Sequence, residues 1–409
     1  MLDADLLATL PTPAYVYDLD EVRRSHGLLR AALPAASELY FSLKANPHPA
    51  VVGTLRELGC RAEVCSPGEL AVALEAGAEP ADILYTGPGK RDQDLLDAIK
   101  AGVTWFSVDS PYGLDQLDAV AGSLGAQVRA ILRVNDDSPV PGQSLTMTGV
   151  ASQFGADAAW VLAEPGRFGP RAHVRPGGLH LYMGSNSDSE ATLWRQFEQS
   201  IRTAHRLVEA TGTELELLDL GGGFGAPFAR AGVLPVFDEL AGRLGTALDE
   251  AFAGWRDGSP VVAFESGRYL TATCGSLLTR VLDAKRSQGQ QIVVLESGIN
   301  HLGGMSGLRR VAPIVPDLLV GPGAGEPVAG TVIAGPLCTP LDSWARAATV
   351  PPLAPGDLVV VPNVGAYGLY ASLVGFLGHP LPDEVVVAGG QVCQRSRIEL
   401  SRRTVPTFE

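Results

Sequence analysis

The chain has 409 residues, of which 46% are hydrophobic, and a formal net charge of −14 at pH 7. Single hydrophobic cores rarely grow beyond roughly 250–300 residues, so the length predicts two domains. The negative charge disfavours nucleic acids and anionic membrane surfaces as partners, and no apolar run reaches the ~18 residues that a membrane-spanning helix needs. We therefore expect an enzyme that acts on small molecules.

The N-terminal sequence and the cysteines indicate the compartment. Met1-Leu2-Asp3-Ala4-Asp5 lacks the basic start of a secretory signal. The cysteines are odd in number and do not have the paired spacing of a zinc site; they are Cys60, Cys65, Cys274, Cys338 and Cys393. Reduced thiols, a cytoplasmic location and no bound metal are predicted.

Tyr15-Val16-Tyr17 predicts a first strand, which we expect to pair with the C-terminal part of the chain. From about residue 37 to 270, short β-branched runs alternate with stretches of helical apolar spacing, as in repeated βα units. The candidate strands are Glu38 to Ser42, Arg61 to Cys65, Ile83 to Thr86, Thr104 to Val108, Val128 to Val134, Gly178 to Met183, Leu215 to Leu220 and Val261 to Glu265. They predict a (β/α)8 TIM barrel over residues 20–270, with an open doubly wound sheet as the alternative.

The C-terminal third of the chain has a different pattern. Beyond about residue 270 the helical spacing ends, and valine-rich runs such as Asp357 to Val361 and Glu384 to Val387 predict strands. We predict an all-β domain, a barrel or a sandwich, formed by residues 271–409 together with residues 1–19.

Lys44 ends the first candidate barrel strand, in Phe41-Ser42-Leu43-Lys44-Ala45-Asn46-Pro47. The active sites of such barrels lie at the C-terminal ends of the strands, where a lysine amine is partly desolvated and suited to imine formation. Considered alone, an ordinary lysine at a strand end is the more common case. The other motifs have to decide between an ordinary lysine and an imine-forming one.

Two glycine-rich loops follow the last two candidate barrel strands. Gly221-Gly222-Gly223-Phe224-Gly225 and Phe264-Glu265-Ser266-Gly267-Arg268 leave backbone N–H groups open to an oxyanion, and barrels often bind phosphate with these two loops. Neither loop fits a Walker or a dinucleotide-binding motif. Glu265 could pair with a ring nitrogen, and Glu63 is a candidate at another strand end. Ser66-Pro67-Gly68-Glu69 predicts a helix start.

Six motifs resemble, in chain order, those of the fold-type III pyridoxal 5'-phosphate (PLP) decarboxylases of ornithine and diaminopimelate. They are Ser42-Leu43-Lys44-Ala45-Asn46, Gly184-Ser185, the triple glycine, Glu265-Ser266-Gly267-Arg268, Cys338 with Asp342, and Gly365-Ala366-Tyr367. The resemblance spans about residues 11 to 380. It implies a PLP-binding barrel joined to a β domain, a carboxy-lyase activity, and a homodimer with active sites shared between subunits.

The resemblance also implies a role for each matching residue. Lys44 would hold PLP as a Schiff base, Glu265 would face the pyridine nitrogen, and Cys338, from the other subunit, would return a proton to Cα. A thiol with a pKa of about 8.5 can donate such a proton at neutral pH. Further cofactor contacts are implied for Glu63, Tyr182, Ser185, Gly222, Gly223, Gly267, Arg268 and Tyr367, and substrate contacts for Thr339, Asp342 and Tyr367.

Three departures from the family pattern concern the cofactor ring and the substrate. Tyr182 stands where the family has a histidine that stacks on the ring, and His180, two residues earlier on the same strand face, could compensate. Thr339 stands where an acid normally binds the distal ammonium of ornithine, lysine or diaminopimelate, so these substrates are disfavoured. Ser266 replaces a proline of the family motif, and the neighbouring Glu265 and Gly267 match that motif.

Within the family, Tyr182, Cys338-Thr339-Pro340 and Phe376-Leu377-Gly378-His379-Pro380 look most similar to the butirosin-type decarboxylase of glutamate carried on an acyl carrier protein. We therefore predict decarboxylation of an amino acid with a neutral or carrier-linked distal end, in natural-product biosynthesis. Carrier proteins are acidic, so docking would need a local basic patch such as Arg309 and Arg310. The alternatives are a decarboxylase of free diaminopimelate or ornithine, a racemase, and an inactive decarboxylase-like binding protein.

Overall fold

The computed structural model describes residues 4–137, 145–146, 151–303, 314–321 and 325–405. Arg309 and Arg310, the predicted basic patch, lie outside the described residues. The chain forms two compact units: one comprises Val22–Ala226 and Val233–Thr271, and the other comprises Met1–Glu21, Pro227–Gly232 and Ala272–Glu409. Among the described residues no helix is both long and apolar enough to cross a membrane.

The main strands are, in chain order, β1 (Ala14–Asp18), β2 (Glu38–Ser42), β3 (Arg61–Val64), β4 (Ile83–Tyr85), β5 (Trp105–Val108), β6 (Val128–Asn135), β7 (Val174–Leu181), β8 (Leu217–Asp219), β9 (Val261–Ser266), β10 (Gly275–Ser287), β11 (Gln290–Leu295), β12 (Val328–Ala334), β13 (Ser343–Val350), β14 (Leu358–Val361), β15 (Asp383–Ala388) and β16 (Gln391–Arg397). Three strands have two residues each. Leu145–Thr146 pairs antiparallel with Gly184–Ser185, and Ala156–Asp157 runs parallel to β6.

The helices are α1 (Ala4–Thr9), α2 (Leu19–Ala31), α3 (Pro49–Glu57), α4 (Pro67–Glu75), α5 (Asp92–Lys100), α6 (Pro111–Ser123), α7 (Ala158–Ala163), α8 (Glu190–Thr211), α9 (Leu240–Ala251) and α10 (Arg268–Thr271). From β2 to β9, each strand is followed by one helix before the next main strand begins. This alternation is the chain order of a (β/α)8 barrel.

The first unit is a closed parallel barrel. Its strands are neighbours in the order β5-β4-β3-β2-β9-β8-β7-β6, and β5 also pairs with β6, which closes the sheet. The closure confirms the predicted (β/α)8 barrel and excludes the open doubly wound sheet. Side chains from strands on all sides of the barrel fill its interior, and the buried cluster consists of Tyr40, Leu84, Trp105, Ile131, Leu217 and Ala263.

Two barrel strands differ in extent from the prediction. β7 begins at Val174 because its pairing with β6 extends over Arg175 and Pro176. Proline is rare inside strands, so the sequence pattern concealed this half of β7. β8 ends at Asp219, whose carboxylate accepts the N–H of Gly221 at 2.8 Å and starts the turn into the glycine loop.

The second unit is built on a mixed sheet. β1 pairs antiparallel with β10 and parallel with β15, which confirms that Tyr15-Val16-Tyr17 joins the C-terminal strands. From β10 the sheet continues through β11 and β12 to β13; β14 also pairs with β10, and β16 pairs with β15. This sheet confirms the predicted C-terminal β domain, and its buried apolar cluster consists of Ala14, Val16, Leu278, Val385 and Val387.

Pro227–Gly232 belongs to the second unit, although the sequence prediction assigned it to the barrel. The N–H of Ala229 donates to the carbonyl oxygen of Asn363 at 3.2 Å, and the Asn363 amide donates to the carbonyl oxygens of Arg230 and Gly232 at 2.7 and 3.2 Å. The loop contributes only backbone groups to these hydrogen bonds. Hydrophobic periodicity along the sequence therefore cannot reveal which unit the loop belongs to.

Helix α4 begins where the sequence predicts a helix start. Ser66 Oγ accepts the N–H of Glu69 at 3.2 Å, and Pro67 is the first helical residue. Glu69 Oε2 accepts the N–H of Cys65 at 2.7 Å. These reciprocal hydrogen bonds satisfy donors at the first turn of the helix, and they set the direction in which the chain leaves β3.

Ser66→Ala should destabilise the start of α4 by about 1 kcal/mol, because it removes the side-chain acceptor of the Glu69 N–H. Amide hydrogen exchange at Glu69 should therefore accelerate roughly fivefold. Ser66→Asn keeps a side-chain acceptor and is the matched control. Equal exchange rates in the wild type and Ser66→Ala would contradict the cap.

Candidate active site

Four chain segments that carry candidate residues leave the barrel at the same rim. Lys44 follows β2, Glu63 lies in β3, Glu265 lies in β9, and the glycine loop 221–225 follows β8. Because the strands are parallel, their C-terminal ends share one end of the barrel, and this end carries the active site in barrels of this kind. The structure thus places the barrel residues predicted to act together on one rim.

Lys44 and Glu63 form an ion pair. Lys44 lies in the short helical turn Leu43–Ala45, and its Nζ is 3.0 and 2.9 Å from the two carboxylate oxygens of Glu63. The Glu63 side chain is 2% exposed, whereas that of Lys44 is 43% exposed. Burial alone would raise the pKa of Glu63, but the Lys44 ammonium and hydrogen bonds from Ser42 and Thr86 lower it to about 2. Glu63 is therefore a fixed negative charge beside the amine.

Glu265, His180 and Asp219 form a second buried group inside the same rim. One polar atom of each lies within 4.8 Å of the others, and His180 Nε2 is 3.6 Å from Glu265 Oε1. Both His180 ring nitrogens, Glu265 Oε1 and Asp219 Oδ2 lack hydrogen-bond partners within the described part of the chain. Buried polar groups are rarely left unpaired, so this group is suited to receiving a polar ligand.

Burial decides the protonation of this group. Desolvation, followed by the nearby Glu63 and Asp219 carboxylates, raises the pKa of Glu265 well above its usual value. Desolvation also raises the pKa of Asp219 to about 7, against the lowering effect of the Gly221 N–H, and it lowers the pKa of His180. A retained proton or a positively charged ligand would compensate these carboxyl groups. Asp219 could not be selected from the sequence, because its importance follows from burial.

His180 and Tyr182 have different surroundings. His180 lies next to Glu265, whereas Tyr182 packs on the glycine loop: a Cβ built on Gly221 would come 2.6 Å from Tyr182 Cδ2. The guanidinium carbon of Arg133 is 5.8 Å from the centre of the Tyr182 ring. The half-buried Tyr182 therefore lies close to both the Arg133 guanidinium and the glycine loop, while His180 lies beside the carboxyl group of Glu265.

Three buried glycines form a cradle that a side chain would fill. A Cβ on Gly222 would lie 2.1 Å from the Glu265 carbonyl oxygen, and one on Gly267 would lie 2.7 Å from Ala45 Cβ. On Gly223, whose φ is +110°, it would lie 2.6 Å from the Gly184 carbonyl oxygen. In the described chain the N–H groups of these three glycines donate no hydrogen bond. Unpaired buried N–H groups suit an oxyanion such as a phosphate group.

Three further residues with predicted cofactor contacts are half-buried. Ser185 belongs to the two-residue strand Gly184–Ser185, and Arg268 opens α10. Tyr367 belongs to the second unit and has a φ of +55°. Such a conformation is uncommon for an aromatic residue and often marks a functional position.

The loop that carries Cys338 is ordered by Asp342, in the second unit. Cys338 is exposed, and Asp342 is buried. The Asp342 oxygens accept the N–H groups of Ile299 at 2.8 Å and Leu337 at 2.7 Å. Thr339 Oγ1 accepts the N–H of Leu341 at 3.3 Å. The carboxylate of Asp342, expected from the sequence to contact the substrate, is thus buried and bonded to two backbone N–H groups.

Comparisons with known proteins agree with this site. Residues 19–272 match the family "Pyridoxal-dependent decarboxylase, pyridoxal binding domain". L-glutamyl-[BtrI acyl-carrier protein] decarboxylase of Niallia circulans is 32% identical over 387 residues, which are 93% of this chain and 89% of that protein. Diaminopimelate decarboxylase of Helicobacter pylori strain J99 is 27% identical over 368 residues, 89% of this chain and 87% of that protein.

A solved structure extends the likeness to the fold. The crystal structure of diaminopimelate decarboxylase from Helicobacter pylori complexed with L-lysine superposes with a TM-score of 0.81, at 25% identity, over 95% of this chain and 94% of that one. The glycine cradle, the buried carboxyl group and the amine fit the phosphate, the pyridine nitrogen and the aldehyde of PLP. The chain therefore belongs to the pyridoxal-dependent decarboxylases, and it is a PLP-dependent amino-acid decarboxylase.

Proposed function

We propose that this decarboxylase removes the α-carboxyl group of an amino acid whose distal end is neutral or linked to a carrier protein. The observation that carries the proposal is the state of the Cys338 loop, residues 335–342. Its one acid, Asp342, is buried and accepts the N–H groups of Ile299 and Leu337, and Thr339 stands where the family has an acid. The loop therefore offers no free carboxylate to a distal ammonium group.

A distal ammonium group would lack a counter-ion at this loop. Desolvating such a charge without a partner is strongly unfavourable, so ornithine, lysine and diaminopimelate would bind weakly. A carrier thioester has no charge at that end. The Niallia circulans relative is named for an L-glutamyl group on an acyl-carrier protein, which supports a carrier-linked substrate and a role in natural-product biosynthesis. The diaminopimelate decarboxylases among the relatives keep a free amino acid as the second candidate.

Each part of the barrel rim has a role in holding the cofactor. The Lys44 amine is the covalent attachment point, and Glu63 holds that amine in position through the ion pair at 2.9 Å. The N–H groups of Gly222, Gly223 and Gly267 bind the phosphate group. Tyr182 takes the ring contact that a histidine makes in the family, and further phosphate contacts come from Ser185 and Arg268.

Glu265 sets the charge at the cofactor ring. Burial and the nearby Glu63 and Asp219 carboxylates raise the pKa of its carboxyl group, so a ring nitrogen next to Oε1 would share a proton with it. When bound, PLP supplies the electron sink that accepts the electron pair left on Cα as carbon dioxide departs. A positively charged ring strengthens that sink. His180 and Asp219 lie beside Glu265 in the same buried group.

Cys338 supplies the proton that replaces the carboxyl group. Its thiol is exposed on a loop that Asp342 holds in place. We place Cys338 of the partner subunit at the active site, in a homodimer whose subunits share both sites. A proton donated by this thiol to Cα completes the reaction.

The PLP-loaded protein should release carbon dioxide from a carrier-linked glutamyl thioester and leave free ornithine, lysine and diaminopimelate nearly unchanged. The reason is the absence of a free carboxylate in the Cys338 loop. Mass spectrometry of each compound would report the loss of one carbon dioxide. Rapid decarboxylation of the free diamino acids by the wild-type protein would contradict the proposal.

The same assay has a matched control for charge. Thr339→Glu restores an acid beside Cys338, and kcat/KM for free lysine should rise about tenfold or more, because a charged hydrogen bond to the distal ammonium becomes available. Thr339→Gln has the same size without the charge. It should leave kcat/KM for lysine at the wild-type level.

Cys338→Ala should lower kcat on the preferred substrate by about 100-fold or more, with little change in KM, because general acid catalysis is lost and binding is not. Steady-state kinetics would measure both constants. Cys393→Ala changes the other exposed free cysteine and is the control. A wild-type kcat in Cys338→Ala would show that this thiol is not the proton donor.

A further inference from the structure

Gln196, in the second turn of α8, is a buried amide without a hydrogen-bond partner. Its side chain is 1% exposed, and neither Oε1 nor Nε2 bonds to any residue that the structure describes. The buried positions around it on α8 are mixed: Leu193 and Phe197 are apolar, and Thr192 and Ser200 are polar. A hydrophobic residue at position 196 would fit this face without leaving polar atoms unpaired. An orphan amide in such a place calls for a ligand that pairs with it.

The Gln196 amide lies against the glycine loop. A Cβ built on Gly223 would come 3.0 Å from Gln196 Oε1 and 2.6 Å from the carbonyl oxygen of Gly184. Gly223 is itself buried, and its N–H, like that of Gly222, is unpaired among the described residues. Gln196 and two backbone donors therefore stand side by side at one turn of the chain.

The unpaired groups define the chemistry of the ligand. Backbone N–H groups only donate, and a glutamine amide presents donors from Nε2, which exchanges places with Oε1 when the amide turns over. Adjacent neutral donors suit an anion with several oxygens. We propose that Gln196 is a further binding residue of the phosphate site, donating from Nε2 to the PLP phosphate group. This inference rests on the proposed role of the glycine loop.

A structural role would give Gln196 a partner within the protein, as it does for two other polar side chains of α8. The buried hydroxyl of Thr203 donates to Asp136 Oδ2 at 2.5 Å, and the Gln199 amide donates to Asp136 Oδ1 at 2.6 Å. Both of these polar side chains are explained by the fold alone. Gln196 differs from these two because both ends of its amide are unpaired within the described chain, next to the glycine loop.

Binding of pyridoxine 5'-phosphate and of pyridoxine to the full-length apoprotein isolates the contribution of the phosphate group. Neither compound has the aldehyde that Lys44 would trap, so calorimetry gives the equilibrium Kd of each. Wild-type protein should prefer the phosphorylated compound. Gln196→Met should lower the ratio of the two affinities about tenfold, because it removes a hydrogen bond to a charged group. Gln196→Glu, similar in shape but negatively charged, should lower the ratio further.

Thr203→Val is the matched control, since it removes a buried hydrogen bond of the same helix that the fold explains. It should lower thermal stability and leave the affinity ratio unchanged. A wild-type ratio in Gln196→Met or in Gln196→Glu would overturn the inference and leave the glycine loop's role intact. A wild-type protein with no preference for the phosphorylated compound would instead overturn the glycine loop's role, and this inference with it.

Discussion

Burial of three carboxyl groups beside a single lysine governs the chemistry of the barrel rim. Glu63 has the Lys44 ammonium as its partner at 2.9 Å and stays ionised. Glu265 and Asp219 lie in the same interior, and burial raises the pKa of both against the weaker influence of nearby cations. Water cannot compensate them there, so the stable arrangements are a retained proton or a positively charged ligand. A protonated pyridine ring meets this requirement.

The backbone prepares the complementary half of the site. The N–H groups of Gly222, Gly223 and Gly267 are buried and unpaired within the described chain, at positions where any Cβ would collide with neighbouring atoms. The rim thus joins a region that favours a cation, a region that favours an anion, and an amine. A ligand with a basic ring, a phosphate group and an aldehyde satisfies all three, which is why the family assignment and the geometry agree.

Local motifs in the sequence were sufficient to predict the barrel and to select candidate residues at its rim. The barrel strands could be predicted, and Lys44, Glu265 and the glycine loops could be selected as candidates, because strand ends and glycines are recognisable along the chain. Asp219 and Gln196 could not, since their importance depends on burial and on neighbours that folding brings close. Asp342 shows the same limit: its acid suggested a substrate contact, but its two backbone partners are visible only in three dimensions.

Covalent attachment at Lys44 is the claim on which the assigned roles depend. The chain has four lysines, at positions 44, 90, 100 and 285, and Lys90 is a real competitor because burial lowers its pKa to about 8. Borohydride reduction of the PLP-loaded full-length protein, followed by proteolysis and mass spectrometry, would locate the bound cofactor. We expect the mass of reduced PLP on the peptide that contains Lys44. Its appearance on Lys90 instead, or on none of the four lysines, would contradict the proposed site.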